Sequence, residues 1–213
     1  MKTLPALSWF AALGLSLAVA GCNLIPPPDP DPTRYYVLTS PAPEPAVTRV
    51  AQGSVRIGLR AVELAPYLRK GVLVVRHGEN ELVFDDFARW GEPLEAGIGR
   101  ALRAQLQADA RVGRVFASPF PLDEGRDYDV LVTVSHCEGV RTAHGAAVRF
   151  SAEVQIVRPA DGGDSVVVAR RVFTAPEVPW DGRNHAALVR ALSDAVSVLS
   201  REVVAAMPAA SSR

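Results

Sequence analysis

Along several short stretches of this chain apolar and polar residues alternate one by one, and along two longer stretches apolar residues recur every third or fourth position. The first pattern is that of strands with one buried face, the second that of helices with one buried stripe. In residues 55–60, Val55, Ile57 and Leu59 fall on one face and Arg56 and Arg60 on the other, which predicts a half-buried strand. Residues 128–135 and 148–156 alternate in the same way, and a third apolar run at 166–173 follows the turn-forming Asp161-Gly162-Gly163-Asp164. Three consecutive strands with short connections predict an antiparallel meander. Residues 72–76 and 81–84 predict a hairpin around His77-Gly78-Glu79-Asn80, and Tyr35 to Thr39 a short strand.

Helical spacing begins after residues 85–91, which are expected to turn the chain out of the hairpin. Pro93 suits the first helical position, and Leu94, Ile98, Leu102 and Leu106 form one stripe. A second helix is predicted from His185 to about Ala206, with Asn184 as its N-cap and Leu188, Leu192, Val196, Leu199 and Val203 on its apolar face. Together these elements predict an α/β fold in one domain: a mixed, largely antiparallel sheet of about six strands with two main helices packed on one face.

The N-terminal segment follows a different pattern. A single positive charge, Lys2, precedes an apolar run from Ala6 to Ala20. That run fits a secretory signal and is shorter than the roughly twenty residues of a spanning helix. It closes on Leu17-Ala18-Val19-Ala20-Gly21-Cys22, which resembles the bacterial lipobox, where the cysteine is acylated and becomes the first residue of the mature chain. Residues 1–21 are therefore expected to be a lipoprotein signal peptide, with Cys22 the lipidation site and the link to the bilayer. Each buried acyl methylene contributes about 0.8 kcal/mol, so two or three chains make the anchorage effectively permanent. Asn23 follows directly, and in enteric bacteria an aspartate there retains lipoproteins at the inner membrane. Asn23 thus implies sorting to the periplasmic side of the outer membrane. Residues 22–33 are rich in proline alternating with aspartate, which predicts an extended tether of about 30 Å. Residues 34–207 form the expected domain, and residues 208–213 a disordered tail.

Charge excludes several functions. Without residues 1–21, whose one charge is Lys2, the chain keeps 22 basic and 23 acidic side chains, a net charge of −1. It has no basic run to bind nucleic acid or anionic lipid headgroups. Its two cysteines are Cys22 and Cys137, so acylation of the first leaves the second without a disulfide partner. Cys137 is expected to be a buried structural residue. It cannot form a dyad with His136, because neighbours in a strand point to opposite faces. The four histidines show no metal-ligand spacing, Asp85-Asp86 reads as a solvated pair, and no nucleophile motif, phosphate loop or dinucleotide fingerprint appears. The reading is of a protein that is not an enzyme and needs no cofactor or metal.

Two aromatic residues stand out at the end of the hairpin. Phe87 and Trp90 lie where the chain passes from strand to helix, and each either plugs the core or meets a partner. Alternation does not decide, since Val83, Phe84 and Phe87 do not share one parity.

The precursor as a whole resembles the PqiC-like family, auxiliary lipoproteins of ABC-type and MCE-type lipid transport systems. The resemblance is carried by the lipobox at Cys22, Tyr35-Tyr36-Val37-Leu38, Val62-Glu63-Leu64-Ala65-Pro66-Tyr67-Leu68, and Asn80-Glu81-Leu82-Val83-Phe84 running on to Arg89-Trp90-Gly91-Glu92-Pro93-Leu94. It covers residues 22 to about 206 and is weakest between Arg111 and Arg126. It implies a non-catalytic periplasmic accessory subunit that meets an MCE-domain protein and supports envelope integrity through lipid transport. The alternative is an outer-membrane assembly or small-ligand-binding lipoprotein unrelated to MCE transport. The sequence is compatible with a homo-oligomer.

Overall fold

One long strand organises the domain. A computed structural model describes residues 29–40, 53–122, 124–160 and 164–207. The lipidation and sorting positions Cys22 and Asn23, the turn at 161–163 and the tail 208–213 lie outside these residues, as does most of residues 1–33. Among the described residues the elements are β1 (Arg34–Tyr36), β2 (Val55–Leu59), β3 (Glu63–Leu64), a 3-10 turn (Pro66–Lys70), β4 (Val72–His77), β5 (Glu81–Trp90), α1 (Leu94–Ala108), β6 (Val112–Ala117), β7 (Tyr128–Thr142), β8 (Gly145–Arg158), β9 (Val166–Thr174), β10 (Val178–Trp180) and α2 (His185–Ala206).

β7 carries neighbours along both edges. On one edge it pairs antiparallel with β8 over nearly its whole length, and β8 pairs antiparallel with β9 and then β10. The expected meander is therefore β7–β8–β9. On the other edge β2, β3 and β4 lie parallel to β7 in succession, so residues 55–77 act as one interrupted strand beside it. β6 extends the sheet beyond β2, and β5 followed by β1 extends it beyond β4. The sheet is mixed: its long ladders are antiparallel and its parallel ladders short.

The strand count differs from the six expected, because the sheet has ten among the described residues. β3, β6 and β10 are too short or too irregular to show a clear alternation. Strand β1 ends at Tyr36, not Thr39, since Thr39 turns away to donate its amide to Ser193 Oγ on α2 at 3.0 Å.

Both helices bury the predicted stripes. Leu94, Ile98, Leu102 and Leu106 of α1 and Leu188, Leu192, Val196, Leu199 and Val203 of α2 are all in the core. α2 packs on β7 and β8 and against α1, while α1 leans on β6. Asn184 caps α2, its side chain accepting the Ala187 amide at 3.0 Å. Pro93 sits one place earlier than expected, as the N-cap of α1. Polar residues buried on α2 are internally satisfied: Ser193, Ser197 and Ser200 each donate to the carbonyl four residues back.

The inward side chains of β7 change phase once. Val130, Val132 and Val134 face the core, but the next inward residue is Cys137. Val134 pairs with Ala152 and His136 with Ser151, so Ser135 is an extra residue, a bulge. The bulge returns Cys137 to the core and leaves His136 partly exposed. Further along, Gly139 lies under the Trp180 ring, where a β-carbon would come within 2.6 Å of Cζ3. A side chain there would displace the tryptophan.

Candidate functional site

The hairpin β4–β5 holds the aromatic pair singled out in the sequence. Residues 85–91 are not the expected turn: β5 continues to Trp90. The reason lies in its pairing. Val72 pairs with Arg89, but the next residue of β4, Leu73, pairs with Asp85. Residues 86–88 therefore have no partner on β4 and form a bulge, in which Phe87 is exposed and Ala88 buried. β1 captures the far side of the bulge, with Arg34 beside Ala88, Tyr35 beside Arg89 and Tyr36 beside Trp90.

At the bulge the two rings part. Ala88 and Trp90 face inward, and Trp90 is only 8% exposed and packs in the main core. Its amide donates to the Gly71 carbonyl at 3.0 Å, where Gly71 in the left-handed region (φ 72°) ends the 3-10 turn. Phe87 is 57% exposed. On the same outer surface lie Tyr35, 66% exposed, and Val37, 49% exposed. Gly91 joins them: a β-carbon there would lie 3.1 Å from Val37 Cγ1 and 3.8 Å from Tyr35 Cβ. Phe87 is thus one part of an apolar patch at the edge of the sheet. Sequence reasoning missed Tyr35 and Val37 as members because they come from a segment about fifty residues away.

Asp85 fixes the bulge from within. Its Oδ1 accepts the Phe87 amide at 3.0 Å, and its Oδ2 lies 3.2 Å from His185 Nε2 at the start of α2. The His185 ring meets Tyr36 edge-on, with centroids 6.1 Å apart. The patch is therefore tied to the helix layer through Asp85 and Tyr36. The two aspartates serve structure differently, since Asp86 is exposed.

Other polar clusters are structural. Asp129 is buried and accepts from Arg60 at 3.0 Å and Arg126 at 2.8 Å. Glu138 is fully buried, and its Oε1 accepts from Arg76 Nε at 2.6 Å. Hydrogen bonding to Glu138 raises the Arg76 pKa further and keeps it charged. Nearby, Tyr67 donates to the Ser135 carbonyl at 2.9 Å, and burial pushes its hydroxyl well above the ordinary range. Burial, with the Glu138 charge beside it, pushes the Cys137 thiol up as well, so it stays protonated and is a poor nucleophile. Among the described residues no three of His, Cys, Asp and Glu stand close enough to hold a metal ion, and no helix is long and apolar enough to cross a membrane.

Glu138 Oε2 and Ser40 Oγ are buried without a hydrogen-bond partner among the described residues. A family model described as ABC-type transport auxiliary lipoprotein component matches residues 36–204. The chain belongs to that family. The matched span opens at Tyr36, whose neighbours Tyr35 and Val37 form the patch, and closes two residues before the end of α2. Two solved structures share the fold. One, a protein of Xanthomonas campestris, is 20% identical with a TM-score of 0.66, covering 81% of this chain and 93% of its own. The other, titled an uncharacterized protein, is 18% identical with a TM-score of 0.62, covering 81% of this chain and 97% of its own. No curated protein matches the chain.

Proposed function

We propose that this protein is a non-catalytic accessory subunit of an MCE-type lipid transport system, held by acylated Cys22 at the periplasmic side of the outer membrane. In this reading residues 1–21 are removed, Asn23 permits outer-membrane sorting, and residues 22–33 tether the domain at 34–207 within reach of an MCE-domain protein. Lipid passage through that assembly supports envelope integrity. The family match over residues 36–204 carries the reading, because it makes the chain an auxiliary component of a transport system. The exposed Phe87 supplies a contact surface, whereas Trp90 supports it from the core.

The test has two arms. Cys22→Ala is expected to abolish acylation and leave the protein unprocessed or free in the periplasm. A variant that stayed lipid-labelled and membrane-bound would remove the anchor from the reading. Detergent-extracted, tagged wild type is expected to co-purify with an MCE-domain subunit. Absence of that subunit from the eluate, under conditions that preserve the transporter, would favour a lipoprotein unrelated to MCE transport.

A further inference from the structure

The sequence has no basic run, yet the fold gathers cations beside the aromatic patch. A cleft of about 460 Å³ opens between the 3-10 turn, the end of β5 and the start of α1, lined by Arg69, Lys70, Arg89, Trp90 and Glu95 among others. Arg69 and Arg89 are exposed and are held by no ion pair or hydrogen bond recorded among the described residues, and Lys70 only stacks on Phe84, 4.3 Å from the ring centroid. Of the carboxylates nearby, Glu92 is engaged by Arg100 and Asp85 by His185, which leaves Glu95 and Asp86 exposed. In the cleft lining three cations therefore stand against Glu95 and the Arg100-paired Glu92.

The cleft and the patch form one surface. Arg89 and Gly91 belong to the cleft, while Tyr35 pairs in register with Arg89 and Val37 crowds Gly91. Among the described residues β1 pairs on one side only, with β5. From this we propose that the surface binds an extended acidic segment of the transport partner. Its carboxylates engage Arg69, Lys70 and Arg89, and an apolar side chain between them lies on Phe87 and Tyr35. The inference rests on the partnership proposed above and adds the chemistry of the contact.

Charge complementarity selects the occupant. Guanidinium groups give carboxylates paired donors in a fixed plane, and exposed aromatic rings anchor the apolar part of an interface. A recess between a turn and a helix start admits a side chain or a strand of polypeptide, whereas a flat bilayer surface leaves it empty. Sequence reading could not find this surface, because Arg69 and Lys70 are separated from Arg89 by the hairpin.

The test uses the full acylated protein anchored in phosphatidylcholine vesicles. The probe is a synthetic peptide of alternating glutamate and leucine, with a lysine–leucine peptide as control. The acidic peptide is expected to bind, weakening with added salt, and the basic one not. Arg69→Glu combined with Lys70→Glu and Arg89→Glu should weaken binding about tenfold or more without moving the melting temperature. Arg89→Glu alone gives a smaller loss in the same direction if the triple variant folds poorly. Equal binding by wild type and variants would overturn the inference, as would no binding of the acidic peptide. So would a Phe87→Trp variant whose fluorescence is quenched by brominated phosphatidylglycerol, because the face would then meet lipid. The same variants separate the two proposals. If the MCE-domain subunit binds wild type and the charge-reversed protein equally, the acidic contact is wrong and the partnership stands. If the peptide binds but the subunit does not, the partnership is wrong and the surface chemistry stands.

Discussion

Two register breaks in one sheet have opposite consequences. At Ser135, in the middle of β7, an extra residue turns the following cysteine back into the core. At residues 86–88 of β5 the extra residues push Phe87 into solvent. The difference lies in the neighbours. β7 is clasped along its length by β8 on one side and by β2, β3 and β4 on the other, beneath α2, so its backbone can only re-enter the ladder. β5 lies next to the edge, where among the described residues only the three-residue β1 covers it. A bulge inside a sheet corrects phase, and a bulge near an edge offers a side chain to a partner.

Substitution on the two sides of the β5 bulge breaks this comparison most sharply. Trp90→Ala empties a large core site and is expected to destabilise the domain by about 3–5 kcal/mol, measured by denaturant unfolding. An unchanged midpoint would place Trp90 outside the core. Leu102→Ala on α1 and Leu192→Ala on α2 remove fully buried side chains that cover the clasped part of the sheet. Each is expected to cost about 2–5 kcal/mol, and a loss below the range at either would mean that its helix is loosely seated. Asn184→Ala removes the cap of α2 and is expected to cost about 1 kcal/mol. No loss in thermal unfolding would show that the Asn184 contact is dispensable.

Much of this comparison was legible before any coordinates, and the exceptions have physical causes. The stripes at Leu94–Leu106 and Leu188–Val203 announced both helices, because one face of each is buried and the other wet. β2, β4, β7, β8 and β9 alternated or ran apolar, and each was expected. β6 and β10 gave no such signal: β6 contains Gly113 and Arg114, and β10 contains Pro179 in three residues. Alternation also fails wherever a bulge shifts it, so residues 85–91 read as a turn although they finish a strand. The patch was half visible. Phe87 stood out for its position, but Tyr35, Val37 and the cleft cations join it only through strand pairing across distant segments.

The central claim is that the bulged edge of β5 is a docking surface and the core behind it is not. Its most direct test is the affinity of full-length Phe87→Ala for the MCE-domain subunit, measured beside the wild-type protein and with both melting temperatures recorded. An exposed ring contributes little to folding, so stability is expected to change by less than about 0.5 kcal/mol. Affinity is expected to fall about tenfold or more, as for an aromatic anchor at an interface. Wild-type binding that Phe87→Ala leaves unchanged, in a protein equally stable, would contradict the claim.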